Sequence, residues 1–168
     1  AAALTPTRAT RTVDGLVVGS GLVFEGVVAR VIRSLKEEGR LSLARPLAAA
    51  LACAAPVVDD ADVVVIPTSR AAMRRRGYRV TELLARRAGW RPLPLLRRVR
   101  TTDDQRALGR VERAENLAGS MRAVDAGGRR ILLVDDVVTT GATLREAARA
   151  LRAGGADVVG AGCVAATP

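Results

Sequence analysis

Histidine is absent from this chain of 168 residues. Its absence removes the commonest general base, the usual Ser and Cys triads, and most zinc sites. Any catalysis must therefore depend on carboxylates, arginines, hydroxyls and a metal ion. Aromatic residues are also scarce, since Phe24, Tyr78 and Trp90 are the whole supply. Three rings leave little for a platform on which the bases of a single strand could stack.

Lysine is nearly absent as well, because only Lys36 among the 27 basic residues is a lysine. The net charge is nevertheless +10, which leaves two explanations open. A basic surface gains affinity for a nucleic acid by releasing the counterions condensed on its phosphates. The alternative is the arginine-rich and alanine-rich coding of a G+C-rich genome.

The two cysteines, Cys53 and Cys163, are isolated in Ala-rich apolar stretches and are predicted to be buried reduced thiols. A cytoplasmic location is expected from this. No apolar run approaches the span of a bilayer, so no membrane association is expected. The predicted organisation is a disordered tail over 1–12 and a single domain over 13–168.

The hydrophobic pattern predicts an α/β protein with a parallel sheet, because strand and helix patterns alternate towards the C-terminus. A strand pair is expected around Gly19-Ser20-Gly21, and a valine stripe with Val27, Val31 and Leu35 is expected in the core. The predicted helices are 25–38, 43–54 with Ser42 as its cap, 81–88 and 141–153; the strands are 63–66, covered on both faces, 93–99, 131–134 and 157–165; and the loops are 67–78 and the polar excursion 100–120.

The most informative segment is Ile131–Thr143, which reads ILLVDDVVTTGAT. A buried strand delivers Asp135 and Asp136 to the carboxyl edge of the sheet, where carboxylates can accept hydrogen bonds from sugar hydroxyls or hold magnesium through water. Hydroxyls and amides from Thr139 to Thr143 then open a helix, whose N-terminus favours a phosphate group. The alternative is a helix-capping acid beside a solvated one.

This segment is similar to the phosphoribosyl-pyrophosphate motif of type I phosphoribosyltransferases. Phe24–Gly39, Val65–Ala85 and Thr101–Leu117 extend the resemblance to the ComF family of phosphoribosyltransferase-like proteins. It implies a three-layer parallel-sheet fold with a small N-terminal hood region. Two departures stand out: the chain carries no cysteine-rich zinc module, and Arg79-Val80 replace an Asn-Gln pair common in the family.

The resemblance also implies the site. Asp135 and Asp136 would contact the ribose hydroxyls and hold Mg²⁺ through water, and Arg70 would act with them in catalysis. The loop from Pro67 would handle pyrophosphate, and a mobile loop over 100–116, with Asn116, would close the site. The implied substrate-binding residues are Lys36, Pro67, Thr68, Ser69, Arg76, Gln105, Arg113, Val137, Val138, Thr139, Thr140, Gly141, Ala142 and Thr143.

Two functions of different class follow from the resemblance. The first is transfer of a phosphoribosyl group from phosphoribosyl pyrophosphate to a nitrogenous acceptor. The second is a non-catalytic module that binds a ribose 5-phosphate-containing nucleotide or serves DNA uptake in competence. Single-stranded DNA and a second copy of the chain are candidate partners. For Arg74–Arg76 the alternative is a solvated basic face, and for Gln105, Arg113 and Asn116 it is a polar surface loop.

Overall fold

The computed structural model describes residues 4–56, 58–99 and 118–168. Seven strands and five α-helices lie within these ranges, together with a short 3₁₀ turn at Leu41–Leu43. The strands are β1 (Ala9–Val13), β2 (Leu16–Val23), β3 (Asp62–Val65), β4 (Leu96–Arg98), β5 (Met121–Ala123), β6 (Arg130–Val138) and β7 (Asp157–Ala166); the helices are α1 (Gly26–Glu38), α2 (Ala44–Ala54), α3 (Arg70–Arg76), α4 (Val80–Arg87) and α5 (Ala142–Ala153).

The main sheet has the strand order β1-β2-β7-β6-β3. Strands β2, β7, β6 and β3 run parallel to their neighbours, and only β1 is antiparallel to β2. The β6-α5-β7 unit joins two adjacent parallel strands, as the sequence pattern predicts. Strands β4 and β5 form a separate antiparallel pair.

Hydrophobic side chains cover both faces of the main sheet. On one face, Leu133 and Cys163 pack with α5 and with the β4-β5 pair. On the other face, Val134 and Val164 pack with α1, α2 and α4. This arrangement confirms the three-layer α/β fold. The N-terminal segment, where a small hood is expected, supplies two strands to the sheet and two helices to one of its faces.

The predicted position of the turn between the first two strands is wrong. Leu16–Val23 is one continuous strand, and the chain turns at Asp14-Gly15, both of which have positive φ. Gly19 and Gly21 lie inside the strand because helix α2 crosses it at very close range. A Cβ atom at Gly19 would lie 1.9 Å from the carbonyl oxygen of Ala54, and one at Gly21 would lie 2.2 Å from that of Ala50.

Four further expectations need correction. Residues 9–12, expected in a tail, form most of β1. Ser42 does not cap α2, because the 3₁₀ turn continues directly into that helix. Cys53 is exposed on α2, although Cys163 is buried as predicted. Val27 is 43% exposed, since the buried face of α1 is formed by Val28, Ala29, Ile32 and Leu35.

The segment 67–78, predicted as a loop, contains helix α3. Ser69 caps it by accepting a hydrogen bond from the Ala72 N–H, and Gly77 ends it in the left-handed conformation. A helix of only seven residues with one buried position lacks the periodicity that sequence reasoning depends on. The predicted helices 25–38, 81–88 and 141–153 and the strand at 157–165 are confirmed within two residues.

Strand β3 is covered on both faces, as predicted, although it is the last strand in the order of the main sheet. Val64 is fully buried on the α5 side, and Val63 and Val65 pack on the other side. In the described part of the chain, no helix combines the length and the apolar character needed to traverse a bilayer.

Candidate active site

The two carboxylates lie near the end of β6, which is longer than predicted and runs to Val138. Successive strand residues project to opposite faces of a sheet. Asp136 pairs with helix α1, where its Oδ2 lies 2.7 Å from Lys36 Nζ, and the two side chains are only 16% and 23% exposed. Asp135 accepts a hydrogen bond of 2.8 Å at its Oδ1 from the Asp136 N–H. Each carboxylate therefore keeps one oxygen that has no partner among the described residues.

The electrostatic surroundings of Asp135 disfavour its charged form. Burial, and then the negative charge of Asp136, raise the pKa of Asp135 to about 8. The Asp136 N–H and the positive charges of Lys36 and Arg98 act in the opposite direction. The Asp135 carboxyl therefore holds a proton near neutral pH, which a bound cation would displace.

Beside Asp135 lies Cys163, its register partner on β7. The thiol is fully buried, and burial together with the two nearby carboxylates raises the pKa of Cys163 well above its usual range. A neutral thiol at this position adds no charge to the floor of the site. Cys163 is therefore a packing residue, as expected for a buried reduced cysteine.

The turn after β6 exposes its backbone. Thr139 and Thr140 are exposed, and Gly141, with φ 78°, is the N-cap of α5. Among the described residues, the N–H groups of Thr139, Thr140, Gly141 and Thr143 have no acceptor, while the Ala142 N–H makes a long contact of 3.4 Å with Thr140 Oγ1. Unpaired amides at a helix N-terminus form a site for an anion.

A small cavity of about 40 Å³ lies in this turn and is bordered by Asp135. Its lining consists of Asp135, Val137, Val138, Thr139, Thr140, Gly141, Ala142, Thr143 and Leu144. Every turn residue in the predicted set thus borders one cavity.

A second loop approaches the site from the neighbouring strand. The Ile66 N–H donates to the Val134 carbonyl at 2.9 Å, so the chain leaving β3 stays beside β6 up to the first acid. Pro67, Thr68 and Arg70 then line a groove of about 450 Å³. Ser69 is turned towards α3, where its Oγ serves as the helix cap.

The structure adds Arg98 on β4 to the site. Its Nε donates to the Pro67 carbonyl at 2.9 Å, and its positive charge reaches Asp135. Arg98 therefore lies between the 67–70 loop and the carboxylates. In the sequence, the pair Arg97-Arg98 just before the polar segment 100–120 indicates positive charge near the site. The strand pattern alone does not predict which of the two arginines contacts the 67–70 loop.

Other predicted residues lie elsewhere. Arg76 is in the last turn of α3, about 9 Å along the helix axis from Arg70. Lys36 contacts Asp136, so its role towards a substrate would act through that carboxylate. Gln105, Arg113 and Asn116, with the predicted mobile loop over 100–116, lie outside the described residues.

Comparison with known proteins identifies this constellation. Residues 59–168 match the family model described as Phosphoribosyl transferase domain. The chain belongs to that family. The match contains β6, the acid pair, the turn at 139–143 and the 67–70 loop, and it leaves out the segment from β1 to α2.

Three relatives refine the assignment. Competence protein F of Haemophilus influenzae is 32% identical over 106 residues, which cover 58% of this chain and 46% of that protein. An adenine phosphoribosyltransferase of Mycobacterium tuberculosis is 33% identical over 124 residues, covering 71% of this chain and 55% of that protein. An orotate phosphoribosyltransferase of Bartonella quintana is 43% identical over 54 residues, covering 32% and 28%.

The matched region thus spans about half the length of these relatives or less. The family match and the likeness to Competence protein F confirm the predicted resemblance, and the chain is a ComF-like member of the type I phosphoribosyltransferase family. The acceptors named in the other two relatives differ from each other, so the likeness alone does not select one.

Proposed function

We propose that this chain binds phosphoribosyl pyrophosphate with Mg²⁺ and transfers the phosphoribosyl group to a nitrogenous acceptor. The observation that carries the proposal is the turn at 139–143, which is exposed at Thr139 and Thr140 and whose unpaired amides border one cavity with Asp135. An anion at a helix N-terminus and carboxylates beside it suit a ribose 5-phosphate, which carries a phosphate at one end and a diol nearby.

The two loops divide the donor between them. The turn at 139–143 would take the 5′-phosphate, and Asp135 with Asp136 would accept hydrogen bonds from the ribose hydroxyls. The 67–70 loop, Arg70 and Arg98 would take the pyrophosphate, because they supply positive charge beside the neighbouring parallel strand. Both loops leave the carboxyl edge of the sheet, where open α/β sheets bind their ligands.

The reaction breaks the bond between the anomeric carbon and pyrophosphate and forms a bond from that carbon to the acceptor nitrogen. Positive charge builds on the sugar ring while pyrophosphate departs with its electron pair. With its proton displaced by the bound cation, Asp135 would join Asp136 in supplying negative charge on the sugar side, whereas Arg70 and Arg98 would supply positive charge on the leaving-group side. No side-chain nucleophile is needed, which suits a chain without histidine.

The residues present fit magnesium bound through water. Within 4–56, 58–99 and 118–168, no group of three or more Asp, Glu, His or Cys side chains forms a cage for a metal ion. Two carboxylates with free oxygens, completed by water and donor oxygens, are the environment that Mg²⁺ commonly has. When bound, the ion would neutralise charge on the departing pyrophosphate.

A groove lined by five arginines favours the second candidate function, a binding or DNA-uptake accessory role. Five arginines border the 450 Å³ groove, and Glu82, which pairs with two of them, is the one acid among the described residues of its lining; the arginines are Arg70, Arg79, Arg86, Arg97 and Arg98. Such a density of positive charge suits a phosphate backbone, and single-stranded DNA is the partner to test. A cytoplasmic location and a homodimer stay predictions.

The decisive experiment measures binding of phosphoribosyl pyrophosphate by calorimetry with Mg²⁺ present. Asp135→Asn combined with Asp136→Asn should abolish binding, because both sugar-side carboxylates lose their charge. Asp59→Asn with Asp60→Asn is the matched control, since it neutralises another adjacent acid pair in an exposed turn. Undiminished affinity in the first double variant would refute the site.

Turnover separates the two functions. The protein is incubated with labelled donor, Mg²⁺ and a pool of nitrogenous bases, and pyrophosphate release is followed. Release that needs a base supports the transferase, whereas tight binding without release supports the binding module. Binding of a single-stranded oligonucleotide, titrated against salt, tests the accessory role, and no binding at physiological salt removes it.

A further inference from the structure

Arg11 on β1 contacts the turn proposed to bind the 5′-phosphate, although it is 128 residues away in sequence. Its Nη2 donates a hydrogen bond of 2.7 Å to the carbonyl oxygen of Thr139. Strand β1 lies outside the segment that matches the phosphoribosyl transferase domain family. The contact therefore comes from a part of this chain that the family match does not cover.

The placement of Arg11 follows from the register of the first hairpin. Arg11 pairs with Val18, so both side chains project to the same face of the sheet, where Val18 joins the core beneath α5. Val13, two residues further on, projects to that face as well and packs against the same core. The start of α5 and the turn before it lie on this face.

Val13 makes a second contact with the turn. A Cβ atom at Gly141 would lie only 2.7 Å from Val13 Cγ1, so the strand is packed directly against the backbone of the turn. Gly141 also needs its left-handed conformation, which a residue with a side chain adopts at a cost. Arg11 and Val13 thus hold the turn from one side at two successive positions.

The hydrogen bond to Thr139 has a consequence for the next amide. A trans peptide unit is planar, and its C=O and N–H point in opposite directions. Since the Thr139 carbonyl is fixed on Arg11, the N–H of Thr140 is held pointing away from Arg11. A carbonyl turned the other way would present negative charge to an incoming phosphate in place of a donor.

Arg11 also brings a cation close to the site. The positive charge of Arg11 acts to lower the pKa of Cys163, the residue beside Asp135, against the larger effect of burial. The Nε of Arg11 is buried and has no hydrogen-bond acceptor among the described residues. A guanidinium has five N–H donors, so the contact with Thr139 leaves it with unused donor capacity next to the turn.

We propose that Arg11 is a positioning residue for the phosphate turn, which orients the Thr139-Thr140 peptide and adds positive charge behind the turn that would bind the phosphoryl group. This role rests on the proposed binding of a ribose 5-phosphate unit at residues 139–143. It predicts that Arg11 affects affinity for a terminal phosphate and leaves the pyrophosphate loop at 67–70 untouched.

The test compares binding of ribose 5-phosphate and of magnesium pyrophosphate by calorimetry. Arg11→Met should weaken ribose 5-phosphate about tenfold or more, as expected for loss of a charge-assisted hydrogen bond. Its affinity for magnesium pyrophosphate should stay within about twofold, which a general loosening of the fold would not allow. Arg8→Met is the matched control, because Arg8 is exposed and its replacement removes the same charge from the same segment.

Arg11→Lys keeps the positive charge, so it should bind ribose 5-phosphate more tightly than Arg11→Met and about threefold more weakly than wild type. If Arg11→Met does not fold, this comparison of Arg11→Lys with wild type tests the proposal. Arg11 variants that bind ribose 5-phosphate as well as Arg8→Met does would overturn the positioning role and leave the proposed function standing. A wild-type protein that binds no ribose 5-phosphate would overturn both.

Discussion

Asp135 should make the folded protein less stable as the pH rises, and Asp135→Asn should remove that effect. The carboxyl has a pKa of about 8 in the folded protein, against about 3.9 in an unfolded chain. Between these values the folded state holds a proton that the unfolded state has released. The stability contributed by this proton is complete below about pH 4 and is lost as the pH rises through about 8.

The magnitude follows from the linkage relation. One pH unit between the two pKa values costs the wild-type protein up to about 1.4 kcal/mol of unfolding free energy from this group. From pH 5 to pH 7 the loss is on the order of 3 kcal/mol, which lowers the melting temperature by several degrees in a chain of this size. Asparagine mimics the protonated acid, and its Oδ1 can still accept the Asp136 N–H.

The assay is thermal and urea unfolding of both proteins between pH 5 and pH 8. Fluorescence of Trp90, which packs against the core, and circular dichroism supply two probes whose coincidence tests two-state behaviour. The difference in stability between Asp135→Asn and wild type should grow in favour of the variant with pH. Asp157→Asn, at the exposed start of β7, controls for replacement of an aspartate as such.

A stability difference between the two proteins that does not change with pH would refute this reasoning. Greater stability of Asp135→Asn at pH 7 together with loss of donor binding would show that the acid is kept for its ligand and not for the fold. Such exchanges of stability for function are common at sites that hold a destabilising charge.

Two further substitutions test the packing that positions the site. Gly19→Ala should cost at least about 3 kcal/mol of unfolding free energy, because its Cβ would lie 1.9 Å from the Ala54 carbonyl oxygen. Gly127→Ala is the control and should cost no more than about 1 kcal/mol, because the nearest atom would be 3.7 Å away. Equal urea midpoints for the two variants would contradict the close crossing of α2 over β2. Glu146→Gln should cost about 2 kcal/mol of unfolding free energy in urea, because the buried carboxylate accepts hydrogen bonds from the Met121 N–H at 2.9 Å and from Arg149 Nε at 2.6 Å. Glu38→Gln, in the exposed pair with Arg40, is the control and should cost less. A smaller effect of Glu146→Gln than of the control would reject Glu146 as the link between α5 and β5.

The proposed chemistry depends on a division of charge within a small volume. Asp135 and Asp136 would face the sugar, and Arg98 lies between them and the loop that would hold pyrophosphate. Lys36 lowers the cost of placing two carboxylates side by side, since it pairs with one of them at 2.7 Å. Lys36, the single lysine of the chain, therefore contributes directly to the electrostatics of the candidate site.

The sequence alone predicted the β6-α5-β7 unit and the turn within it. Strand, acid pair, turn and helix are consecutive, so local periodicity and the chemistry of a helix N-terminus were enough to define them. The same holds for the extent of α1, which ends before Gly39, although Val27 of its predicted core stripe is exposed. Resemblance then extended this segment to a family, which the comparison confirms.

Only the tertiary structure decided which distant residues support that turn. Arg11 and Val13 reach it through the register of the first hairpin, and Arg98 reaches the carboxylates through the β4-β5 pair. Gly19 and Gly21 were predicted to form a turn, but they lie where helix α2 crosses the strand. A glycine can indicate either a turn or a close packing contact, and the sequence does not show which neighbouring element makes the contact. Contacts between residues far apart in the chain depend on strand order and register, and neither leaves a local pattern.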